Sequence, residues 1–421
     1  MRQPDLMERK TPEFDIVIAG GGMIGTSLAL ALAPLGMRIA VVEAVARRNA
    51  LQPSFDDRST ALSRSTQRMF EAMGLWDDVR AASTPITHIH VSDKGRFGFS
   101  HIDAREQGVE ALGYVVINRV LGEVLQSRLD ELPAVQQFCP ARIESVSLGP
   151  DQAMATMDAG GSEHEITGKL LVAADGAKSA VRDMMGISAQ RRAYDQRAIV
   201  GNLLTEKPIL NRAYERFTSQ GPLAVLPIAD ERAGFVWTVS EKDANRVLGL
   251  NDSDFIAELQ AEFGFRLGKF SRVGARAGYP LVLSKAVRLT ATRSVLIGNA
   301  AHGLHPVSAQ GFNLGMRDVA ALCDCILDSR NATEPGGRLD PGASDVLRHY
   351  ADWRRSDQKK LVYFTDSLVR LFGSQRAGIR TLRNIGMLGF DLIPGVRSVF
   401  AKHTMGLAGE LPRLSRGVPI R

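Results

Sequence analysis

The sequence lacks most of the features that mark secreted, metal-bound or hydrolytic proteins. Its three cysteines, Cys139, Cys323 and Cys325, are too few for a disulfide framework, and the two that lie one residue apart cannot make a zinc site alone. A reducing compartment is expected. The first fifteen residues mix acids with bases and hold neither an apolar signal core nor the acid-poor pattern of a transit peptide, which points to a cytoplasmic protein. Neither GxSxG nor HExxH occurs, so hydrolase readings have no handle. His88 and His90 alternate onto one face of a possible strand with His101 nearby, but no acid-rich or Cys-rich surroundings support a metal. Aromatic and basic residues are not interleaved as in single-strand-binding grooves, so no nucleic-acid partner is expected. The net charge of +6 is also concentrated at one end, with 13 Lys and Arg against four Asp and Glu from Arg354 onward.

The chain does have length, glycine and one long uncharged run. Its 421 residues allow roughly two to three domains, and 40 Gly against 18 Pro suggests many positions of positive φ or close ligand approach. The run from Ile16 to Met37 is long enough to cross a bilayer as a helix. A β-type stretch followed by Gly20, Gly21 and Gly22 fits a buried parallel strand, a tight turn and a helix better. The spacing predicts a strand over Phe14–Ala19, a helix over Met23–Leu35 and a strand over Arg38–Glu43. Gly20-x-Gly22-x-x-Gly25 then has the dinucleotide-binding pattern: one glycine for the turn, one for pyrophosphate approach and one for helix–strand packing. The helix N-terminus would take a phosphate, and Glu43 falls where a carboxylate accepts hydrogen bonds from an adenosine ribose.

Alternation continues downstream. A strand over Tyr114–Ile117 leads into a helix over Asn118–Leu132, and a strand over Lys169–Ala174 runs into Asp175 and Gly176. Between about Ala193 and Ser284 the runs turn β-type, with one helix near Asp252–Phe263. A strand over Ser294–Ile297 precedes Gly298-Asn299-Ala300-Ala301-His302 and a helix over Leu314–Leu327. The expected fold is α/β: a Rossmann-like dinucleotide-binding domain (1–75, 113–185 and 286–330) with an inserted β-sheet substrate domain (76–112 and 186–285). A Gly/Pro-rich linker (331–345) and a C-terminal basic helical region (346–421) follow.

Three motifs together carry a family resemblance. Gly20 to Gly25 with Glu43, Ala174-Asp175-Gly176 followed by Ser179 and Arg182, and the stretch from Gly298 through His305-Pro306 and Gln310-Gly311-Phe312-Asn313 to Asp318 resemble the single-component flavoprotein aromatic hydroxylases. With Asp57-Arg58-Ser59-Thr60-Ala61-Leu62-Ser63, the chain is more narrowly similar to the ubiquinone-biosynthesis hydroxylases, on the branch of 2-polyprenyl-6-methoxyphenol hydroxylase. The resemblance implies non-covalent FAD, with Glu43 on the adenosine ribose and Arg58 and Arg119 on the pyrophosphate or ribityl side. Asp175 would serve FAD and, indirectly, the nicotinamide. Asn299 stands where the family usually has Asp; it keeps one acceptor and adds two donors, so a ribityl hydroxyl is still within its chemistry. Pro306 would fix the loop at the isoalloxazine ring and Gly311 would admit close approach. Near Phe312, the N–H groups opening a helix at Asn313 and Leu314 would face the charge that collects on reduced flavin.

No second dinucleotide fingerprint is present for NAD(P)H, which the resemblance takes as a transient reductant. The implied cycle runs through a C4a-hydroperoxyflavin that hydroxylates a polyprenyl phenol precursor of ubiquinone with O2. Alternatives on the same residues are a hydroxylase of another small phenol, a reductase or epoxidase, and a non-catalytic FAD-binding component of a quinone-biosynthesis assembly. A halogenase would carry Trp-x-Trp-x-x-Ile, which is missing. His302 and His305 lie near the expected flavin, yet a packed loop histidine explains them as well, and no catalytic side chain is assigned. In the tail, Leu361, Phe364, Leu368, Leu371 and Phe372 follow helical spacing among Arg354, Arg355, Lys359, Lys360, Arg370, Arg376, Arg380 and Arg383. This pattern suits peripheral attachment to an anionic inner-membrane surface or a biosynthetic complex; packing on the catalytic body is the alternative.

Overall fold

A computed structural model describes residues 13–47, 58–95, 99–229, 231–303, 310–332, 339–373 and 401–421, with backbone only for 310, 331–332 and 360–373. An eight-stranded sheet is built from β1 (Phe14–Ala19), β2 (Ile39–Val42), β8 (Val135–Phe138), β9 (Arg142–Leu148), β10 (Ala153–Ala159), β11 (Ser162–Ala173), β18 (Thr290–Ala291) and β19 (Ser294–Leu296). Its spine runs β18-β19-β11-β1-β2-β8, and the pairs β19–β11, β11–β1, β1–β2 and β2–β8 are parallel. The middle strands are apolar on both faces, as parallel strands covered on both sides must be: β2 is buried throughout, and β1 at every residue but Asp15. Three strands, β3 (Ser59–Ser63), β4 (Ser83–Ile86) and β7 (Gly113–Ile117), form a small antiparallel sheet in the order β3-β7-β4.

The third sheet has nine strands: β5 (His88–Asp93), β6 (Phe99–Asp103), β12 (Ala189–Thr205), β13 (Arg212–Phe217), β14 (Pro222–Ala229), β15 (Arg232–Ser240), β16 (Phe270–Val273), β17 (Ala277–Ala286) and β20 (His302–Gly303). The last of these joins the sheet to the Gly298 motif, because Lys285 on β17 pairs with His302. One face is packed with Tyr214, Phe235, Trp237 and Val239 beneath Phe255 and Phe263, making a separate core.

Helices α1 (Met23–Leu32), α2 (Arg64–Ala72), α3 (Trp76–Ala81), α4 (Asn118–Asp130), α5 (Ala180–Met184), α6 (Glu241–Leu248), α7 (Asp252–Phe263), α8 (Gln310–Ala332) and α9 (Ser344–Gly373) complete the described fold. The strand expected at Phe14–Ala19 and the helix at Asp252–Phe263 appear with those bounds. Where one helix was expected between Ala193 and Ser284 there are two, since Ser240 caps α6 as well; three further expectations need correction. The helix from Met23 stops at Leu32, since Pro34 opens a separate 3-10 turn that ends on left-handed Gly36. The strand ending at Ala174 begins at Ser162, because β10 and β11 form a long hairpin. The helix expected at Leu314 begins four residues earlier, at Gln310, and runs to Ala332. Of the expected linker, residues 333–338 lie outside the described residues.

The histidines read above as metal-free pair among themselves or with an acid. His88 Nε2 lies 3.0 Å from Asp103 Oδ2, and His90 Nδ1 lies 2.7 Å from His101 Nε2 across β5 and β6. Burial, then the positive charge of Arg266, pushes the His90 pKa down to about 3. A histidine neutral in the fold but titrating at 6.5 when unfolded contributes stability that is present above pH 6.5 and is lost as pH falls toward 3. The expected loss at pH 5 is about 2 kcal/mol relative to neutral pH. Thermal unfolding of the wild type and of His90→Phe at both pH values measures this; the variant should lose distinctly less stability on acidification.

Candidate functional site

Each of the three glycine-bearing motifs touches the other two. At the β1–α1 turn Gly20 sits at φ +106°, and a Cβ there would fall 2.6 Å from Ala174 O and 2.9 Å from Asp175 N, so the first motif lies on the second. A Cβ on Gly25 would fall 1.9 Å from Gly20 O, which fixes glycine as the residue that lets α1 start so close to β1. The second motif reaches the third through buried Arg182, whose Nη1 donates to Ala300 O at 3.1 Å. The third returns to the first through Ile24 on α1, 3.2 Å from the Cβ position of Gly298 and 2.7 Å from that of Gly315.

Around this junction the expected residues fall as follows. The Glu43 carboxylate directly follows β2, half-buried, and accepts from Gly21 N at 2.7 Å and Val45 N at 2.8 Å. A carboxylate has about four lone-pair positions, so two remain for ribose hydroxyls. Gly22 is the N-cap of α1, and no side chain caps that end and no acid stands in its first turn, which suits a pyrophosphate. Arg58 and Arg119 are brought side by side because β3 pairs with β7: Ser59 opposes Ile117, and Asn118 N donates to Arg58 O at 2.8 Å. The Arg58 guanidinium lies 4.5 Å over the Tyr279 ring, whereas Arg119 pairs on the surface with Glu123 at 3.2 Å. Asn299 is exposed within a 3-10 turn, its side chain open to a ligand. Pro306 and His305 lie outside the described residues.

The Asp175 carboxylate accepts from Ser179 Oγ and from Val181 N at 3.1 Å, which shapes the turn into α5 and, as at Glu43, leaves about two lone-pair positions open. One assignment changes. The side chain of Asn313 points away from a helix mouth. Its Nδ2 donates to Ala61 O at 2.9 Å, and its Oδ1 accepts from Ser63 N and Thr66 Oγ1, both at 2.8 Å, which ties α8 to β3 and α2. Because α8 opens at Gln310, the N–H groups left over at its start belong to Gly311 and Phe312 rather than to Asn313 and Leu314. Among the described residues, no atom lies within 4 Å of a Cβ built on Gly311, while Phe312 packs against the main core.

Sequence reasoning missed the residues that hold the third motif. Asp318, fully buried, accepts from Gly298 N at 2.9 Å, from His302 Nε2 at 2.6 Å and from Arg354 Nε at 2.7 Å. Burial pushes its pKa up, but His302 and Arg354 together outweigh it and hold the carboxyl below its usual range. His302 is therefore a packed histidine bonded to an acid. Arg354, read above as part of a basic surface, is 1% exposed and also pairs with Asp357, which accepts from Arg317 at 2.9 Å. The only sequence signal was one arginine inside a helix with apolar neighbours, and nothing local distinguishes it from Arg355.

Facing the junction is the second face of the nine-stranded sheet. Val200, Val236, Ala224 and Leu226 on it are half-buried, whereas Phe235, Trp237, Leu223 and Val225 on the opposite face are buried. A half-buried, largely apolar face opposite the cofactor junction can serve as the floor of a substrate cleft. Its edges meet the site at Arg58 over Tyr279, and at Ser59 Oγ, 2.9 Å from the Cβ position of Gly234.

A family model described as an FAD binding domain matches residues 13–349. Ubiquinone hydroxylase UbiL of Rhodospirillum rubrum is 36% identical over 96% of this chain and 93% of its own length. The 3-demethoxyubiquinol 3-hydroxylase of Escherichia coli is 30% identical over 93% of this chain and 98% of its own. The crystal structure of p-nitrophenol 4-monooxygenase PnpA from Pseudomonas putida superposes with a TM-score of 0.78 at 19% identity, covering 94% of this chain and 98% of that one, which shows a shared fold.

Removing Arg354 leaves Asp318 buried without its main cationic partner. Arg354→Leu should cost about 3–5 kcal/mol of stability and release flavin, while Arg355→Leu, at an exposed neighbour, should do neither. Thermal unfolding and flavin retained through gel filtration check both.

Proposed function

Since the chain belongs to the FAD-dependent aromatic hydroxylases of ubiquinone biosynthesis and is an FAD-dependent monooxygenase, we propose that its ring substrate is a polyprenyl phenol precursor of ubiquinone, hydroxylated with NAD(P)H and O2. The observation that carries this reading is the mutual contact of three motifs around one opening that faces an apolar cleft. When bound, FAD supplies the reactive oxygen, drawn from O2 after reduction by NAD(P)H. The protein's own groups then bind, orient and exclude water. Glu43 would take the adenosine ribose, the uncapped start of α1 at Gly22 the pyrophosphate, and Asn299 a ribityl hydroxyl. The N–H groups at Gly311 and Phe312 would face the charged edge of the reduced ring, and Arg58 and Arg119 would flank the cofactor. Val200, Val236 and Leu226 would receive the aromatic ring and keep water from it.

We assign the cofactor to residues 1–75, 113–185 and 286–330 and the substrate to 76–112 and 186–285, with β20 crossing between them. Mass spectrometry of quinone intermediates in a deletion strain tests the function: a prenylated phenol one hydroxyl short of the next intermediate should accumulate. No NAD(P)H consumption by the FAD-loaded protein would instead favour a non-catalytic FAD-binding component, and steady consumption without a hydroxylated product a reductase. For the cofactor contact, Asn299→Asp should keep FAD and much of the activity, whereas Asn299→Leu should lose FAD. Equal flavin content in all three proteins would remove Asn299 from the ribityl site.

We further propose peripheral attachment to an anionic membrane surface through the stretch from Lys359 to Arg383. Among the described residues no helix is long and apolar enough to cross a membrane. Arg354 is withdrawn from the basic set because it is buried, and Arg376, Arg380 and Arg383 lie outside the described residues. An anionic surface contributes about 1 kcal/mol per nearby Lys or Arg. Liposome flotation should therefore require anionic lipid, weaken with salt and fall sharply in an Arg376→Gln, Arg380→Gln, Arg383→Gln variant that still holds FAD. Flotation indifferent to lipid charge points to another anchor.

A further inference from the structure

The register of the nine-stranded sheet places one carboxylate in the floor of the cleft. Directly opposed residues share a face, and Val200 on β12 opposes Val236 on β15, which opposes Ala224 on β14. Ala224 opposes Glu215 on β13, and Glu215 opposes Val91 on β5. All five are half-buried. In this row of otherwise apolar side chains Glu215 is the single charged one. Its strand neighbours Tyr214 and Arg216 turn to the other face, where Tyr214 packs on Phe263 and Arg216 Nε donates to Glu262 O at 2.9 Å. Two residues before Glu215, Ala213 packs on Ile86 and Val115 of the small sheet, which establishes that this face looks toward the cofactor side.

Among the described residues, none hydrogen-bonds or pairs with the Glu215 carboxylate. Of the charged groups on the same face, Asp93 is the diagonal cross-strand neighbour, two residues beyond Val91 on β5, and Arg58 covers Tyr279 at the far side of the sheet. The facing positions of β12, β14 and β15 carry Ala198, Asn202, Leu226, Gly234 and Thr238, and β4 and β7 present Ile86 and Val115. A carboxyl left without a partner on an apolar floor is costly for the fold and suits a ligand that brings its own donor.

We propose that Glu215 is a substrate-orienting residue whose carboxylate accepts a hydrogen bond from the phenol hydroxyl and so fixes which ring carbon faces the flavin. The inference rests on the phenol-hydroxylase reading above and adds the polar anchor that its apolar cleft lacks. The bond to an ionised acceptor also feeds electron density into the ring, which favours electrophilic oxygen attack. Burial raises the Glu215 pKa to about 7. The accepting form is thus present above that value and is lost as pH falls through it.

The test uses the full-length, FAD-loaded protein and 2-prenyl-6-methoxyphenol as probe. Phenol binding is read from perturbation of the flavin absorbance, and coupling from product formed per NAD(P)H consumed. In the wild type, binding should strengthen as pH rises through about 7. Glu215→Gln, which keeps an acceptor but does not titrate, should bind with a flat pH profile. Glu215→Ala should retain FAD, bind the phenol about tenfold or more weakly and divert reducing equivalents to hydrogen peroxide. Wild-type coupling and the wild-type pH profile in both variants would overturn the assignment, with the hydroxylase reading intact. Glu215-dependent phenol binding without any hydroxylated product in the wild type would do the reverse, sinking the reaction and sparing the anchor.

Discussion

The buried carboxylate of Asp318 is the constraint on which the cofactor side of the molecule depends. It sits on α8, yet its acceptors are spent on three other places: the backbone N–H of Gly298, the ring of His302 and the guanidinium of Arg354 on α9. A fully buried ion is tolerated only when its lone pairs are filled, so each of the three partners is held by the needs of the other two. The consequence is positional. The turn carrying Asn299 is fixed relative to α8, and α8 is fixed relative to α1 through the close approach of Gly298 and Gly315 to Ile24. A helix remote from the cleft, α9, thereby determines where the third motif stands.

Asn313 completes this arrangement from the other side. One amide bonds Ala61, Ser63 and Thr66, so β3, α2 and α8 are locked at a single side chain. Since β3 also carries Arg58 and pairs with the strand leading to Arg119, that lock sets the distance between the two arginines and the glycine turns. Neutral Asn can do this because it offers two donors and an acceptor at once, which Asp in its charged form cannot.

Local patterns were legible and long-range partners were not. The glycine spacing, the apolar five-residue strand before it and the acid at Glu43 specify a βαβ unit with a phosphate-ready helix, and these elements stand where the pattern put them. The helix at Asp252 was equally plain, because Asn251 caps it and Gly264 ends it. The start of α8 was misjudged, since glycine at 311 reads as loop while tertiary contacts through Asn313 carry the helix past it. Arg354 was misread for a related reason. Burial of an arginine is decided by an acid 36 positions away in the chain, and no periodicity records that. Glu215 stayed invisible because its significance lies in strand register: a shift of one residue would place it in the helix-covered core and Tyr214 in the cleft.

The same packing bears on how a basic tail could act on the site. After the residues from 374 to 400, which lie outside the described ones, the chain is again anchored. Arg317 donates to Ala408 O at 3.2 Å, Ser65 N to Met405 O at 3.0 Å, and Arg413 binds both Asp324 and Asp328 on α8. Arg354 anchors the other flank to Asp318 on the same helix. Arg354 before the undescribed residues and Arg413 after them are thus both bonded to acids of α8, the helix that carries Asn313 and holds Gly298 through Asp318. That helix opens at Gly311 and Phe312, the turn proposed above for the flavin.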